Sequence, residues 1–362
     1  MLNVTLDESI FGVESLTGLV RSFMEEPGAR VCTDLFRSSA KKLLPEGSSV
    51  TWEESQLSRH LAPVTGRDSP HQQVQVTNVI PRASAMAHMK IYKDLPAGML
   101  LDRRAPGSMS ADERYFLNEA LMDLAKMLNN SIELMCAQLL STGSITVTTA
   151  IFPGSTITFT VTFTGFNTYV VTASWATAAT KILSSELILA ERDFRAESGL
   201  ELGRVIHNAG VKQNLLQNTE IKELLVALLG PQLVQGGPRN LGPVVPALQL
   251  GGYDWQQADG VYKPEGGAAT RYWADKKVAF LPRDLSETLA LAEGHGYVPG
   301  TTGQSGPAPG AGLVRKAPSR GAYAYAAVNL DVPSVRVYAG WVGLPILLTP
   351  QNLMICADVE TP

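Results

Sequence analysis

The most regular hydrophobic pattern in the chain lies between residues 108 and 147. Ser110 and Glu113 form a capping box at its start, and Gly143 supplies a C-terminal stop. Between them, apolar residues recur in steps of three and four, which places them on one face of a helix; they are Leu117, Leu121, Leu124, Leu128, Ile132, Met135 and Leu139. We expect a helix from Ala111 to Leu140, about 45 Å long at ~1.5 Å per residue, which is long enough to span a subunit.

A clear strand follows this helix at Thr156–Thr164, with isoleucine, valine and phenylalanine on one face and threonine on the other. Paired apolar segments at 244–255 and 271–281 predict a hairpin. The remaining predicted elements are helices at 176–194 and 215–228 and strands at 202–206, 335–338, 344–348 and 353–359. This order of elements predicts an α+β protein of two interleaved lobes with an extended arm.

The arm is predicted at residues 49–93, where strand-like stretches flank a tip rich in turn residues, Pro63–Pro70. On the return strand, Val74, Val76 and Val79 alternate with polar residues. Few large apolar side chains are available here to fill a core, and an isolated two-stranded arm is only marginally stable in water. We therefore expect another molecule to cover the arm.

Composition narrows the class of protein. The chain has 362 residues, room for roughly two domains, and a formal charge of −4, which argues against a dedicated nucleic-acid binder. Charged residues make up only 18%, and glycine and proline are numerous, which suits a surface covered by copies of the same protein. No signal peptide or membrane-spanning run is visible. We expect a soluble protein from a reducing compartment, with Cys32, Cys136 and Cys356 as buried thiols.

The residue patterns of known active sites do not occur in the sequence. The five histidines lack zinc-ligand spacing, and neither a nucleophile elbow nor a phosphate-binding loop occurs. Acidic pairs such as Asp254 and Asp259 are typical of solvated turns. The aromatic residues between Tyr253 and Trp273 could stack on bases, although cross-strand packing explains them better. We predict no catalytic residue, no cofactor and no metal site.

Several segments, taken in order, resemble the major capsid proteins of tailed phages, in particular the lambda-type capsid E family with its Hong Kong 97-like fold. The similarity spreads over residues ~50 to 360, and each motif is weak by itself; the shared order carries the resemblance. The segments are Ala62–Arg67 (APVTGR), Ile80–Arg82 (IPR), Met89–Leu95 (MKIYKDL), Ile132–Gly143, Trp175, Lys277–Pro282 (KVAFLP) and Gly343–Asn352 (GLPILLTPQN).

The resemblance implies a division of the chain into parts. Residues 1–48 would form an N-terminal arm, 49–93 the E-loop, 94–200 the peripheral domain with a spine helix at 111–140, 201–330 the axial domain, and 331–362 C-terminal strands returning to the peripheral domain. The E-loop would contact neighbouring subunits, and its candidate interface residues are Arg59, His60, Pro63, Gly66, Arg67, Asp68, Gln73 and Gln75.

The implied function is structural. Copies would assemble into hexamers and pentamers of an icosahedral shell that encloses double-stranded DNA without sequence-specific binding, in a virion assembled in the host cytoplasm. Partners would include a portal protein and also scaffold and decoration proteins, with no membrane. Two alternatives remain at this point: an encapsulin-like compartment shell that holds a cargo enzyme, and an enzyme with an unrecognised cleft.

Overall fold

The structure is a computed structural model that describes residues 12–25, 30–38, 41–57, 77–96, 109–152, 155–229, 252–263, 267–299, 314–329 and 334–361. Its helices are α1 (Val13–Glu25), α2 (Val31–Ser38), α3 (Met109–Thr142), α4 (Leu187–Ser198), α5 (Ala209–Gln217) and α6 (Thr219–Leu229), with a π-helical turn at Ile182–Glu186 and a 3₁₀ turn at Pro350–Asn352. Its first nine strands are β1 (Lys42–Leu43), β2 (Ser49–Leu57), β3 (Thr77–Ala85), β4 (Ala87–Pro96), β5 (Ser144–Phe152), β6 (Ser155–Thr162), β7 (Asn167–Tyr169), β8 (Leu202–His207) and β9 (Asp254–Gln257). The other nine are β10 (Val261–Tyr262), β11 (Thr270–Arg271), β12 (Val278–Pro282), β13 (Leu289–Glu293), β14 (His295–Pro299), β15 (Val314–Arg320), β16 (Ala322–Asn329), β17 (Ser334–Leu347) and β18 (Met354–Cys356).

The predicted long helix is present as α3, which has 34 residues. All seven apolar residues of its predicted face are at most 3% exposed. Gly143 ends the helix in the left-handed region, with φ of 69°, and its amide donates to the carbonyl oxygen of Leu139 at 2.9 Å. Ser110 is the second helical residue, so its expected N-cap position is wrong because the helix begins one residue before it.

A five-stranded sheet packs against α1, α2 and α3. Its strands lie in the order β1-β13-β17-β16, and β4 pairs with the other edge of β17. The strands predicted at 335–338 and 344–348 are parts of one unbroken strand, β17, which runs through Gly340 and Gly343. Both glycines lie inside the strand: Tyr323 packs over Gly340, and a Cβ at Gly343 would be 2.4 Å from the Ala292 carbonyl oxygen.

Helix α1 covers the outer edge of β16. The Thr17 hydroxyl donates to the carbonyl oxygen of Ala324 at 3.2 Å and accepts from the Ala324 amide at 3.1 Å. Thr17 is only 3% exposed, so these backbone groups are satisfied without water. A side chain thereby replaces the missing neighbour strand and blocks strand addition at this edge.

Thr17→Val is therefore expected to destabilise the subunit by about 1–3 kcal/mol, since it keeps the side-chain shape but leaves a buried N–H and C=O unpaired. Urea unfolding of the unassembled subunit measures the change. Thr17→Ser retains the hydroxyl and is the matched control. Equal stability of the valine variant and the wild type would contradict this account of the β16 edge.

A second five-stranded sheet, in the order β7-β18-β12-β8-β9, separates two hydrophobic cores. Along β12, Val278 and Phe280 face a core formed with α4, α5 and α6, whereas Ala279 and Leu281 face the core of α3 and the first sheet. Ile355 on β18 follows the same alternation. The sheet is thus a common wall, buried on both faces.

The strand predicted at 156–164 is present as β6, which pairs with β5 in a separate hairpin. Two other expectations about pairing or continuity are wrong. The hairpin expected from 244–255 and 271–281 does not form in the described part of these segments, because β8 lies between β9 and β12. The helix predicted at 215–228 is divided at Asn218, whose side-chain oxygen accepts from the Ile221 amide at 3.2 Å and caps α6.

Candidate assembly interface

The arm is a long antiparallel hairpin in the described residues. Strands β2 and β3 pair continuously from Ser49↔Ala85 to Leu57↔Thr77. Along β2, Val50, Trp52 and Glu54 are buried, whereas Thr51 and Glu53 between them are exposed. The residues that follow Met86 belong to β4, so the predicted arm of 49–93 also contains part of the first sheet.

The base of the arm is anchored on the β5–β6 hairpin and the segment that follows it. The rings of Trp52 and Phe163 pack with centroids 5.8 Å apart. Arg82 forms an ion pair with Glu54 at 2.6 Å and donates from Nη2 to the Thr164 hydroxyl at 3.2 Å. Because Glu54 is 5% exposed, Arg82 compensates a buried charge. Beside them lies a cleft of about 260 Å³ between β3 and the end of β6.

All eight candidate interface residues from the sequence, Arg59, His60, Pro63, Gly66, Arg67, Asp68, Gln73 and Gln75, lie outside the described residues, so their role stays a prediction. Sequence reasoning missed the anchor formed by Trp52, Glu54 and Arg82. The alternation of Val50, Trp52 and Glu54 on the outgoing strand was the signal for it, since it marks one buried face.

The β5–β6 hairpin presents a row of exposed threonines. The hydroxyls of Thr148 and Thr158 lie 3.2 Å apart across the two strands. The exposed members of the row are Thr146, Thr148, Thr158, Thr160 and Thr162. The opposite face carries Ile145, which is fully buried. This hairpin can therefore offer a hydroxyl-rich surface to a neighbouring molecule while its apolar face stays on the subunit.

The first sheet carries three tyrosines side by side on the face turned away from α3. Tyr325 of β16, Tyr338 of β17 and Tyr92 of β4 are directly opposed in the strand register. The centroid of Tyr338 is 4.6 Å from that of Tyr325 and 5.7 Å from that of Tyr92. We call this set the tyrosine row. Burial raises the pKa of Tyr325.

An ion pair borders the tyrosine row. Arg336 donates two hydrogen bonds to the carboxylate of Asp94, at 2.6 and 3.0 Å, and its guanidinium lies 4.4 Å from the centroid of Tyr92. These hydrogen bonds lower the pKa of Asp94, so the pair stays ionised at neutral pH. The charges of Arg336 and Asp94 therefore compensate each other beside the row.

Buried acids in the described residues serve the fold. Glu133 on α3 accepts from the amides of Cys32 and Thr33 and from the Thr33 hydroxyl, at 3.1, 2.8 and 2.6 Å, and so holds the start of α2. Glu186 likewise accepts from the amides of Thr172 and Ala173. Each carboxylate is satisfied by hydrogen bonds that order the chain.

A buried histidine and three buried cysteines also have structural roles. Burial lowers the pKa of His207, whose ring packs on Trp255 and hydrogen-bonds the Asn208 carbonyl oxygen. Burial raises the pKa of the three cysteine thiols, which are free, as expected.

The described side chains form no cluster of three or more His, Cys, Asp and Glu residues that could hold a metal ion. Among the described helices, none is both long and apolar enough to cross a membrane.

The sequence matches the profile of a known protein family. The sequence profile of the family described as phage major capsid protein E matches residues 46–293, which include the arm, α3, strands β4 and β13 of the first sheet and four of the five strands of the second sheet. No curated protein sequence matches the chain.

Solved structures share the fold at low sequence identity. A phage-related protein of Bordetella bronchiseptica RB50 is 10% identical, with a TM-score of 0.56 over 97% of this chain and 99% of that one. A protein assigned as the capsid protein of an Escherichia coli CFT073 prophage is 12% identical, with a TM-score of 0.56 over 94% and 98%. The capsid of a native GTA particle is 13% identical, with a TM-score of 0.50 over 91% and 90%. These similarities support the Hong Kong 97-like fold that the sequence predicts for this chain.

Proposed function

This chain belongs to the phage major capsid protein E family, and from that premise we propose that its copies form hexamers and pentamers of an icosahedral shell around the double-stranded DNA of a tailed phage. The observation that carries the proposal is the family match over residues 46–293, which include the arm and the long helix α3. The same match favours a phage capsid over the encapsulin-like compartment. The role is structural: the protein is the virion component that forms the capsid shell.

The arm supports a shell in which each subunit's arm is covered by a neighbouring subunit. Its base is held by Trp52 and by the Arg82–Glu54 pair, so the hairpin has a fixed origin on its own subunit. An uncovered hairpin of this length would expose unpaired strand edges. A neighbouring subunit that covers residues 58–76 would remove these edges and add buried area to the interface. We place the candidate interface residues of the arm in this contact.

We divide the chain into parts as the resemblance implies. Residues 1–48 form the N-terminal arm, 49–93 the E-loop, 94–200 the peripheral domain with the spine helix, 201–330 the axial domain around which five or six copies meet, and 331–362 the strands that return to the peripheral domain. Exposed apolar side chains on the axial part, Leu224 and Val226, suit a contact between copies.

Electron microscopy of the purified full-length protein in negative stain tests the function directly. Closed shells or rings of five and six subunits are expected. Particles from infected cells are expected to contain nuclease-protected DNA, whereas an enzyme cargo would identify a compartment protein. A protein that stays monomeric at every concentration and salt condition would contradict the proposal.

DNA is expected to be enclosed without tight binding. The chain carries a net charge of −4, and a lining that released many counterions on DNA contact would hinder sliding during filling and ejection. Gel-shift assays at moderate salt are expected to give no sequence-selective complex with the free subunit. A tight, sequence-selective complex would contradict this role.

Other partners follow from the proposed shell. A portal protein would occupy one vertex, and scaffold and decoration proteins are further candidate partners during assembly in the host cytoplasm. Co-purification of particles from infected cells, followed by mass spectrometry, identifies them.

A further inference from the structure

The β5–β6 hairpin lies in the longest stretch of the chain without a charged residue. Residues 134–180 contain no Asp, Glu, Lys, Arg or His, although charged residues make up 18% of the whole chain. Charges on exposed strands normally prevent unwanted association. Strand β4, whose only described strand partner is β17, follows this rule, since Lys90, Lys93 and Asp94 lie along it. The β5–β6 hairpin lacks this protection, which indicates that another molecule covers it.

One face of the hairpin is held by its own subunit, and the other face is exposed. Ile145 is fully buried, and Val147, Phe159 and Val161 pack against the core that contains α3. The strand register places Thr146 opposite Thr160 and Thr148 opposite Thr158 on the other side, so their hydroxyls form a regular array. We call this surface the threonine face; its exposed members are Thr146, Thr148, Thr158, Thr160 and Thr162.

The chemistry of the threonine face makes it complementary to itself. A hydroxyl both donates and accepts hydrogen bonds, whereas a carboxylate only accepts and an ammonium group only donates. The hydroxyls of Thr148 and Thr158 lie 3.2 Å apart, and their one hydrogen bond leaves a second hydrogen and several lone pairs for other partners. Two identical threonine faces can therefore exchange hydrogen bonds, and their methyl groups can pack together without any repulsion between charges.

The threonine face is continuous with the base of the arm. Thr162 lines the cleft between β3 and the end of β6, beside Trp52 and Arg82. Arg82 also donates to the hydroxyl of Thr164, two residues further along the chain, at 3.2 Å. In the proposed shell the arm extends from this place into a contact with a neighbouring subunit. A second copy that receives the arm therefore lies close to the threonine face.

We propose that the threonine faces of two subunits pack on each other about a two-fold axis. The inference rests on the proposed shell and names the partner of this surface, a second copy of the chain. In a two-fold contact the same patch of both subunits meets, which is the arrangement that a self-complementary surface suits. Two sheets stacked face to face lie ~10 Å apart, a distance at which the threonine side chains of both subunits interdigitate.

Charge substitutions in the full-length protein test the proposal. Thr158→Lys and Thr158→Glu each place a charge at the centre of the threonine face, so that like charges face each other in a two-fold contact. Each variant is expected to lower the fraction of subunits in closed particles at least several-fold, measured by sedimentation and electron microscopy. Co-expression of the two variants is expected to restore particles, because lysine on one subunit then meets glutamate on the other.

Two control variants are expected to assemble like the wild type. Thr158→Ser keeps the hydroxyl, and Thr177→Lys adds a charge at an exposed threonine outside the hairpin. Because Thr158 is exposed, its charged variants are expected to keep the melting temperature of the unassembled subunit. If one of them unfolds, Thr160→Lys and Thr160→Glu repeat the test at the next position of the face.

Normal assembly of both charged variants would overturn the inference, because the face would then be uncovered in the shell. Two defective variants that co-expression does not rescue would also overturn it, because the face would then contact a different surface. Either result leaves the capsid function intact. Failure of the wild-type protein to form particles would overturn both.

Discussion

Leu128→Asp is expected to remove folded subunit from solution. Leu128 is 1% exposed and lies at the centre of the apolar face of α3. The substitution removes a packed side chain, which costs ~2–5 kcal/mol, and places an unpaired carboxylate in the core. Together these effects take a large part of the ~5–15 kcal/mol that stabilises a typical domain. Leu124→Lys is expected to act in the same way, since Leu124 is 3% exposed.

Soluble yield and circular dichroism of the purified variants measure this effect. Asn130→Asp adds the same charge to an exposed position of α3 and is expected to leave yield and melting temperature near those of the wild type. Soluble, assembled Leu128→Asp protein would show that this face of the helix is not part of the core.

Replacement of Leu61–Val76 by a short Gly-Ser turn is expected to abolish closed shells while the subunit still folds. The base of the arm lies outside this segment, because Trp52, Glu54 and Arg82 make the contacts with the body. The removed residues belong to the part that a neighbour covers in the proposed shell. The melting temperature of the unassembled subunit should change by only a few degrees, and electron microscopy should show no closed particles.

Trp52→Ala provides the contrasting variant. It removes a buried ring that packs on Phe163, at an expected cost of ~3–5 kcal/mol to the subunit itself. The two variants have different expected effects. Trp52→Ala lowers the stability of the subunit, whereas the arm replacement prevents the assembly of closed shells. Unfolding of the subunit by the arm replacement would assign residues 61–76 to its own core instead of a neighbour's surface.

Local features were predictable from the sequence, and long-range pairing was not. The period of apolar residues from Leu117 to Leu139 predicts α3, since every residue needed for the pattern lies within one element. Alternation also identifies β6 as a strand. It does not identify a partner strand, and for this reason the hairpin expected from 244–255 and 271–281 is wrong.

The candidate interface shows the same limit. Its arm was predictable from turn residues and a shortage of core side chains. The tyrosine row was not, because Tyr92 is separated from Tyr325 and Tyr338 by more than half of the chain and only the register of β4, β16 and β17 brings the three together. The anchor of Arg82 on Glu54 and Thr164 joins residues that no local pattern connects.

The wall between the two cores also determines how the subunit can deform. Rotation of one lobe against the other would withdraw Phe280 from one core or Leu281 from the other. Emptying either position costs several kcal/mol, by analogy with the ~2–5 kcal/mol of a large-to-small core substitution. The lobes therefore move as one rigid plate. Differences in curvature between five-fold and six-fold positions of a closed shell must be absorbed at the seams between plates and along the arms, because the plate has no internal hinge at this sheet.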